Sequence, residues 1–173
     1  MSAPLKYSGK LFRALNPVYA GQPLSGEGAA RFGGRFNPKN VPALYCSLSP
    51  VTALREANQV GALQPTTLVC YDAEIETIFD GRDAEALARE GMDAAALAAP
   101  SWRDEMKQGE ARSQNFARRL SQAGYFGLLV RSFAAGATAD DLNLVLWTWG
   151  QSAPTRLTLI DDEGRLAASS RQR

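Results

Sequence analysis

The stretch Ser25-Gly-Glu-Gly-Ala-Ala-Arg31-Phe-Gly-Gly-Arg35-Phe-Asn-Pro38, followed after a short loop by Ala43-Leu-Tyr45-Cys-Ser47, is the most informative part of the chain. Arg31 and Arg35 flank the pair Gly33-Gly34, and Gly26 and Gly28 precede them. Glycine lets backbone approach a ligand closely and adopt positive φ. Arginine carries a rigid fork of donors that matches phosphate oxygens. Together they point to a pocket for a phosphate-bearing small molecule. Read as a short strand over residues 31–36, bulged at the glycine pair, the segment puts both guanidinium groups on one face. There is no Walker A lysine. No G-x-G-x-x-G runs from a strand into a helix with an acidic residue about 20 positions on.

Working outward, residues 11–15 read as a strand and 16–28 as a turn-rich loop. Residues 43–48 are a strand, and Ser49-Pro50 opens a helix, with serine as N-cap and proline in the first turn. Ala53, Leu54, Ala57 and Val60 give that helix an apolar face, with Glu56 at its edge beside Thr52. Residues 66–72 and 75–79 read as two strands, and 83–90, 93–99 and 102–107 as short helices. Residues 112–123 form the clearest helix, with a stripe of Phe116, Ala117 and Leu120 and a stop at Gly124. Strands follow at 127–132, 142–149 and 156–161, with a loop over 134–141. The polar residues 163–173 are expected to fray. The sum is one mixed α/β domain over residues 1–173.

The composition, 45% hydrophobic and 21% charged, is that of an ordinary globular domain. A net charge of +1 argues against a broad electrostatic footprint for nucleic acid. No signal-peptide pattern is present, and no apolar run approaches the roughly 20 residues that span a bilayer. Cys46 and Cys70 make neither a disulfide framework nor a metal cluster, and Cys46 reads as packing. A cytoplasmic protein is expected. The chain has no histidine, which excludes Ser-His-Asp and Cys-His sites and histidine-based zinc. Acid–base work falls to Glu, Asp, Tyr, Lys or water.

Several blocks occur in order: Phe12-Arg13-Ala14 before Asn16-Pro17, Gly26 to Asn37, Leu44-Tyr45-Cys46-Ser47, Ala53-Leu54-Arg55-Glu56, Arg131-Ser132, and Asn143-Leu144-Val145-Leu146. In this order they resemble the RES domain, the toxin half of a bacterial toxin–antitoxin system, over most of the chain. The resemblance implies an ADP-ribosyltransferase-like fold, a split of twisted, mostly short-stranded β-sheets with flanking helices. It implies an activity that consumes NAD as substrate, without a prosthetic group or a metal. It also implies an Xre-type helix-turn-helix antitoxin that covers the active site and does the DNA binding, and a homodimer within a larger complex.

Breaking the nicotinamide–ribose bond of NAD develops a cation on the ribose. It calls for a pyrophosphate clamp, an aromatic surface for nicotinamide, and a carboxylate near the developing charge. The resemblance makes Arg31 the foremost clamp residue and leaves Arg35 between clamp and structural support. It makes Tyr45 the aromatic surface and Glu56 the carboxylate, so that Glu56, Arg31 and Tyr45 form the catalytic set. Ser132 is assigned a hydrogen bond to substrate, since a serine without a histidine base is a poor nucleophile. Arg13 and Asn143 complete the binding set, and Glu27 is the nearest rival to Glu56. From the residues alone, bland roles stay open: ion-paired arginines, a packed Tyr45, a solvated Glu56, a strand-end Ser132. The chain lacks the His-Tyr-Glu set and the E-x-E motif of better-known ADP-ribosyltransferases. Arginine stands where the first has histidine, so the acceptor is open: water, giving NAD depletion, or a protein. The alternative functions are a non-enzymatic nucleotide-binding regulatory module, and single-stranded nucleic-acid binding by Arg31, Phe32, Arg35 and Phe36.

Overall fold

β1 (Leu5–Leu15) and β3 (Thr67–Asp80) set the frame of the computed structural model, which describes residues 3–59 and 62–166. They pair antiparallel from Leu5↔Ile78 to Leu15↔Thr67, and β6 (Thr155–Leu159) adds to the other edge of β3. A second group runs β2 (Leu44–Ser47), β5 (Leu142–Leu146), β4 (Gly127–Arg131), antiparallel throughout. The groups join at two seams. Phe12 pairs with Ser47, and Ile78, Phe79 and Asp80 pair in parallel with Gly127, Leu128 and Leu129. β3 therefore belongs to both halves, and the strands close a ring. This is the split arrangement of sheets that the resemblance implied.

Alternation along the strands sorts side chains into two cores. Leu11, Leu44, Cys46, Tyr71, Ile75, Leu129, Leu144 and Leu157 pack together between the halves. On the opposite face, Leu128, Val130 and Val145 meet α3 (Ala84–Arg89), α4 (Ala94–Ala98) and α6 (Arg112–Gln122) through Leu87, Leu97, Phe116 and Leu120. Each such aliphatic side chain contributes about 1.5–3 kcal/mol by leaving water. On the solvent side of the β1–β3–β6 group, charges pair across strands: Lys10 faces Asp72, and Arg156 faces Glu74.

Four elements differ from the sequence reading. Residues 67–80 form one strand, because burial alternates without a break through Val69, Tyr71, Ala73 and Ile75. β1 starts six residues earlier than expected, drawn out by β3. β5 stops at Leu146, after which the Trp147 and Thr148 amides both turn to the Phe126 carbonyl. The expected strand over 31–36 is instead a short helix, α1 (Glu27–Phe32), followed by a tight Gly34–Asn37 turn. Val60 and residues 167–173 lie outside the described residues, while Leu166 packs against the inner core. Among the described residues, no helix is long and apolar enough to cross a membrane.

Candidate active site

α2 (Pro50–Ala57) begins as its sequence dictates: the Ser49 hydroxyl accepts the Thr52 amide at 3.1 Å, and Pro50 occupies the first turn. Thr52 and Glu56, one turn apart, face the protein. The expected apolar face is not the buried one. Ala53 is buried, but Leu54 and Ala57 are exposed. The inner face is polar because it carries a carboxylate and its supports.

Glu56 Oε1 accepts hydrogen bonds from Ser132 Oγ and Asn143 Nδ2, both at 2.5 Å, and Oε2 accepts from Gln59 Nε2. The Asn143 amide is itself oriented, because Ser47 Oγ donates to its Oδ1 at 2.7 Å. Strand pairing makes this possible, since Ser47 and Asn143 are direct neighbours on β2 and β5. A second cluster fixes α2 to the 132–141 loop. Asp141 accepts from Thr52 Oγ1 at 2.6 Å and from the Thr138 amide at 2.7 Å, and pairs with Arg55 at 2.8 Å. The Thr138 amide above all, with Thr52 and Arg55, pulls the Asp141 carboxyl down to about 2.

Arg35 lines the same pocket as Glu56. One of its terminal nitrogens donates to the Leu97 and Ala99 carbonyls at 2.9 and 2.8 Å, and its guanidinium lies 4.5 Å from the Phe133 ring centroid. Burial, and then the Arg103 charge, lower its ionisation. Among the described residues no carboxylate pairs with it. The backbone on either side is held rigidly. Gln114 donates to the Gly34 and Asn37 carbonyls, Ser113 to the Arg35 carbonyl, and the Trp147 indole to the Phe36 carbonyl. The glycine at 34 answers a packing need: a Cβ there would overlap the Tyr45 hydroxyl and come within 2.6 Å of Asn37 Oδ1.

Arg35, Tyr45, Glu56 and Asn143 line one pocket of about 270 Å³, together with Phe133, Gln59, and Trp102 and Arg103 of α5 (Trp102–Gln108). The Tyr45 hydroxyl donates to Asn37 Oδ1 at 2.7 Å and accepts the Phe36 amide at 3.0 Å, while burial pushes its ionisation up. It offers a ring, not a base. The Ser132 hydroxyl is spent on Glu56 and reaches the site through it. Arg31 does not come to the pocket. It sits exposed at the end of α1, its guanidinium 5.7 Å from the Phe32 ring centroid, and a helix cannot align it with Arg35 as a strand would. Arg13 supports the far side of the sheet, donating to the Pro23 carbonyl at 2.9 Å. Glu27 is exposed in the first turn of α1, away from the pocket. The Arg31-Phe32-Arg35-Phe36 surface also dissolves, since Phe36 is buried at 2% exposure. Burial pushes the Cys46 thiol up to about 12, consistent with packing. No group of three or more acidic or sulfur ligands is gathered among the described residues.

Sequence reasoning missed Ser113, Gln114, Asn37, Trp147, Phe133, Trp102 and Arg103. Ser113 and Gln114 did leave a signal: two polar residues on the helix face that buries Phe116, Ala117 and Leu120. Asn37 closes the Gly26-to-Asn37 block, and the others left none, because their places depend on tertiary contacts.

The RES domain family matches residues 10–169, and the chain belongs to that family. No curated protein matches it by sequence. Among solved structures, the crystal structure of the M. tuberculosis MbcT–MbcA toxin–antitoxin complex contains a chain of the same fold. That chain superposes with a TM-score of 0.62 at 22% identity, over 91% of this chain and 84% of its own length. The fold is ADP-ribosyltransferase-like.

Proposed function

We propose that this RES-domain protein is the toxin of a bacterial toxin–antitoxin pair, and that its pocket binds NAD and breaks the nicotinamide–ribose bond. The observation that carries the reading is that Glu56 and Arg35 line one pocket, each held by neutral hydrogen-bond partners and, among the described residues, neither in a salt bridge. In this reading Arg35, and not Arg31, grips a phosphate. Tyr45 and Phe133 border the nicotinamide and ribose. Glu56 stabilises the cation that develops on the ribose as the bond electrons leave with nicotinamide. Water or a protein side chain then bonds to the ribose carbon and gives up its proton, for which Glu56 is the nearby acceptor. Family membership supports the accompanying expectations: an Xre-type antitoxin that covers the pocket, a homodimer inside the complex, and action in the cytoplasm without a prosthetic group.

The test is to mix purified protein, freed of its antitoxin, with NAD and to follow nicotinamide by chromatography, with mass analysis of the ADP-ribose product. Free ADP-ribose identifies water as acceptor, and a protein gaining its mass identifies transfer. NAD left intact by folded protein overturns the enzymatic reading in favour of a nucleotide-binding module.

A further inference from the structure

Arg103 has no part in the chemistry above. It is an exposed residue near the start of α5, at the rim of the pocket. Its guanidinium lies 4.7 Å from the Trp102 ring centroid, and that of Arg35 lies 5.7 Å from the same centroid. The two cations thus meet at one indole. They feel each other, since Arg103 is the largest influence on Arg35 after burial. Neither has an ion pair among the described residues. The acids that follow Arg103 in α5 are occupied elsewhere: Asp104 holds Lys107, and Glu105 accepts from Ser101 Oγ and the Arg112 amide.

Two like charges at one partly apolar rim repel, and an anion shared between them removes that repulsion. A lone phosphate satisfies one guanidinium fork well. Two phosphates joined through a bridging oxygen satisfy two. The pocket volume agrees. At about 270 Å³ it falls just short of the range that encloses a whole small ligand, so a dinucleotide must extend beyond it, and Arg103 is the exposed cation among its lining residues. We infer that Arg103 and Arg35 form a two-armed diphosphate clamp across the Trp102 ring, which selects nucleotides joined through a diphosphate over mononucleotides. The inference rests on the NAD reading and adds to it the residue that sets the class of nucleotide.

Titration calorimetry on the full chain, comparing the parent protein with R103A and R103E, tests it. ADP-ribose is the diphosphate probe and nicotinamide mononucleotide the single-phosphate control. Alanine suits an exposed helix position, so both variants are expected to fold. ADP-ribose affinity should fall about 10- to 100-fold in R103A, the scale of one charge-assisted contact, and further in R103E. Affinity for the mononucleotide should fall much less, so the ratio of the two affinities shrinks. Equal ADP-ribose affinity in R103A and parent overturns the clamp and leaves the NAD reading standing. An equal loss for both probes also overturns it, because Arg103 then acts only as a general attractor of anions. A parent protein that binds neither probe overturns the NAD reading itself.

Discussion

Among the described residues, the donors to the Glu56 carboxylate are neutral side chains: Ser132, Asn143 and Gln59. Its orientation is fixed and, among the described residues, no salt bridge takes up its charge, which leaves the carboxylate available to a cation forming on a ribose. Glu56→Gln keeps the shape and removes the charge. It should bind NAD normally and lose about 10²-fold or more in nicotinamide release. Binding and turnover measured on one preparation check this, and near-normal turnover would remove Glu56 from the chemistry. The two arginines separate just as cleanly. Arg35→Ala should weaken NAD binding by about 2 kcal/mol, and Arg35→Lys should recover only part, because the fork is lost. Arg31→Ala, at an exposed helix end, should bind NAD like the parent. The sequence pointed to the two arginines beside Gly33-Gly34. Which of them lines the pocket depended on whether residues 31–36 were strand or helix, and six residues with a glycine pair carry too little periodicity to decide.

α2 and α6 divide the work of holding the site. α2 was legible from Ser49-Pro50, because capping is a local matter. Its buried face was not, because an inward-facing Thr52 and Glu56 look like a surface pattern until Asp141 arrives from far along the chain. The two strands expected at 66–72 and 75–79 leave Ala73-Glu74 between them. The pleat continues there, with a small side chain inside and a charge outside. The fold class was legible, through the ordered blocks of family-like residues more than through periodicity. α6 supplies Gln114, which is fully buried and bonded to two carbonyls of the Arg35 turn and to the Ala111 amide. Gln114→Leu keeps the volume, takes one of two hydrogen bonds from each of the Gly34 and Asn37 carbonyls, and leaves the Ala111 amide without its side-chain partner, the last at about 1–3 kcal/mol. Thermal denaturation should show a midpoint lower by roughly 5 °C or more. NAD binding should weaken along with it, since the Arg35 turn loses its brace. An unchanged melting temperature would mean that the turn holds itself.

Across the whole molecule, acid sensitivity follows from Asp141. Its folded carboxyl titrates near 2, below the ordinary 3.8, so the unfolded chain takes up this proton first as pH falls. The stabilisation is therefore complete above the ordinary value and is lost on descent toward about 2. Urea midpoints for Asp141→Asn should be lower than the parent's at neutral pH and converge with it in that acid window. A gap that stays constant down to the lowest pH would show that the carboxylate charge contributes nothing. Nicotinamide release should also proceed unchanged in a chelator, since no cluster of metal-ligating side chains forms among the described residues. The tryptophans have a separate consequence. Of the three, Trp147 and Trp149 donate their indole N–H groups to the Phe36 and Leu24 carbonyls, whereas Trp102 stands at the pocket rim between two guanidinium groups. Ligand arriving there meets the Trp102 indole directly, whereas Trp147 and Trp149 are not among the pocket's lining residues. The protein thus carries its own optical readout of occupancy: a shift in emission on adding ADP-ribose that disappears in Trp102→Phe, without any label.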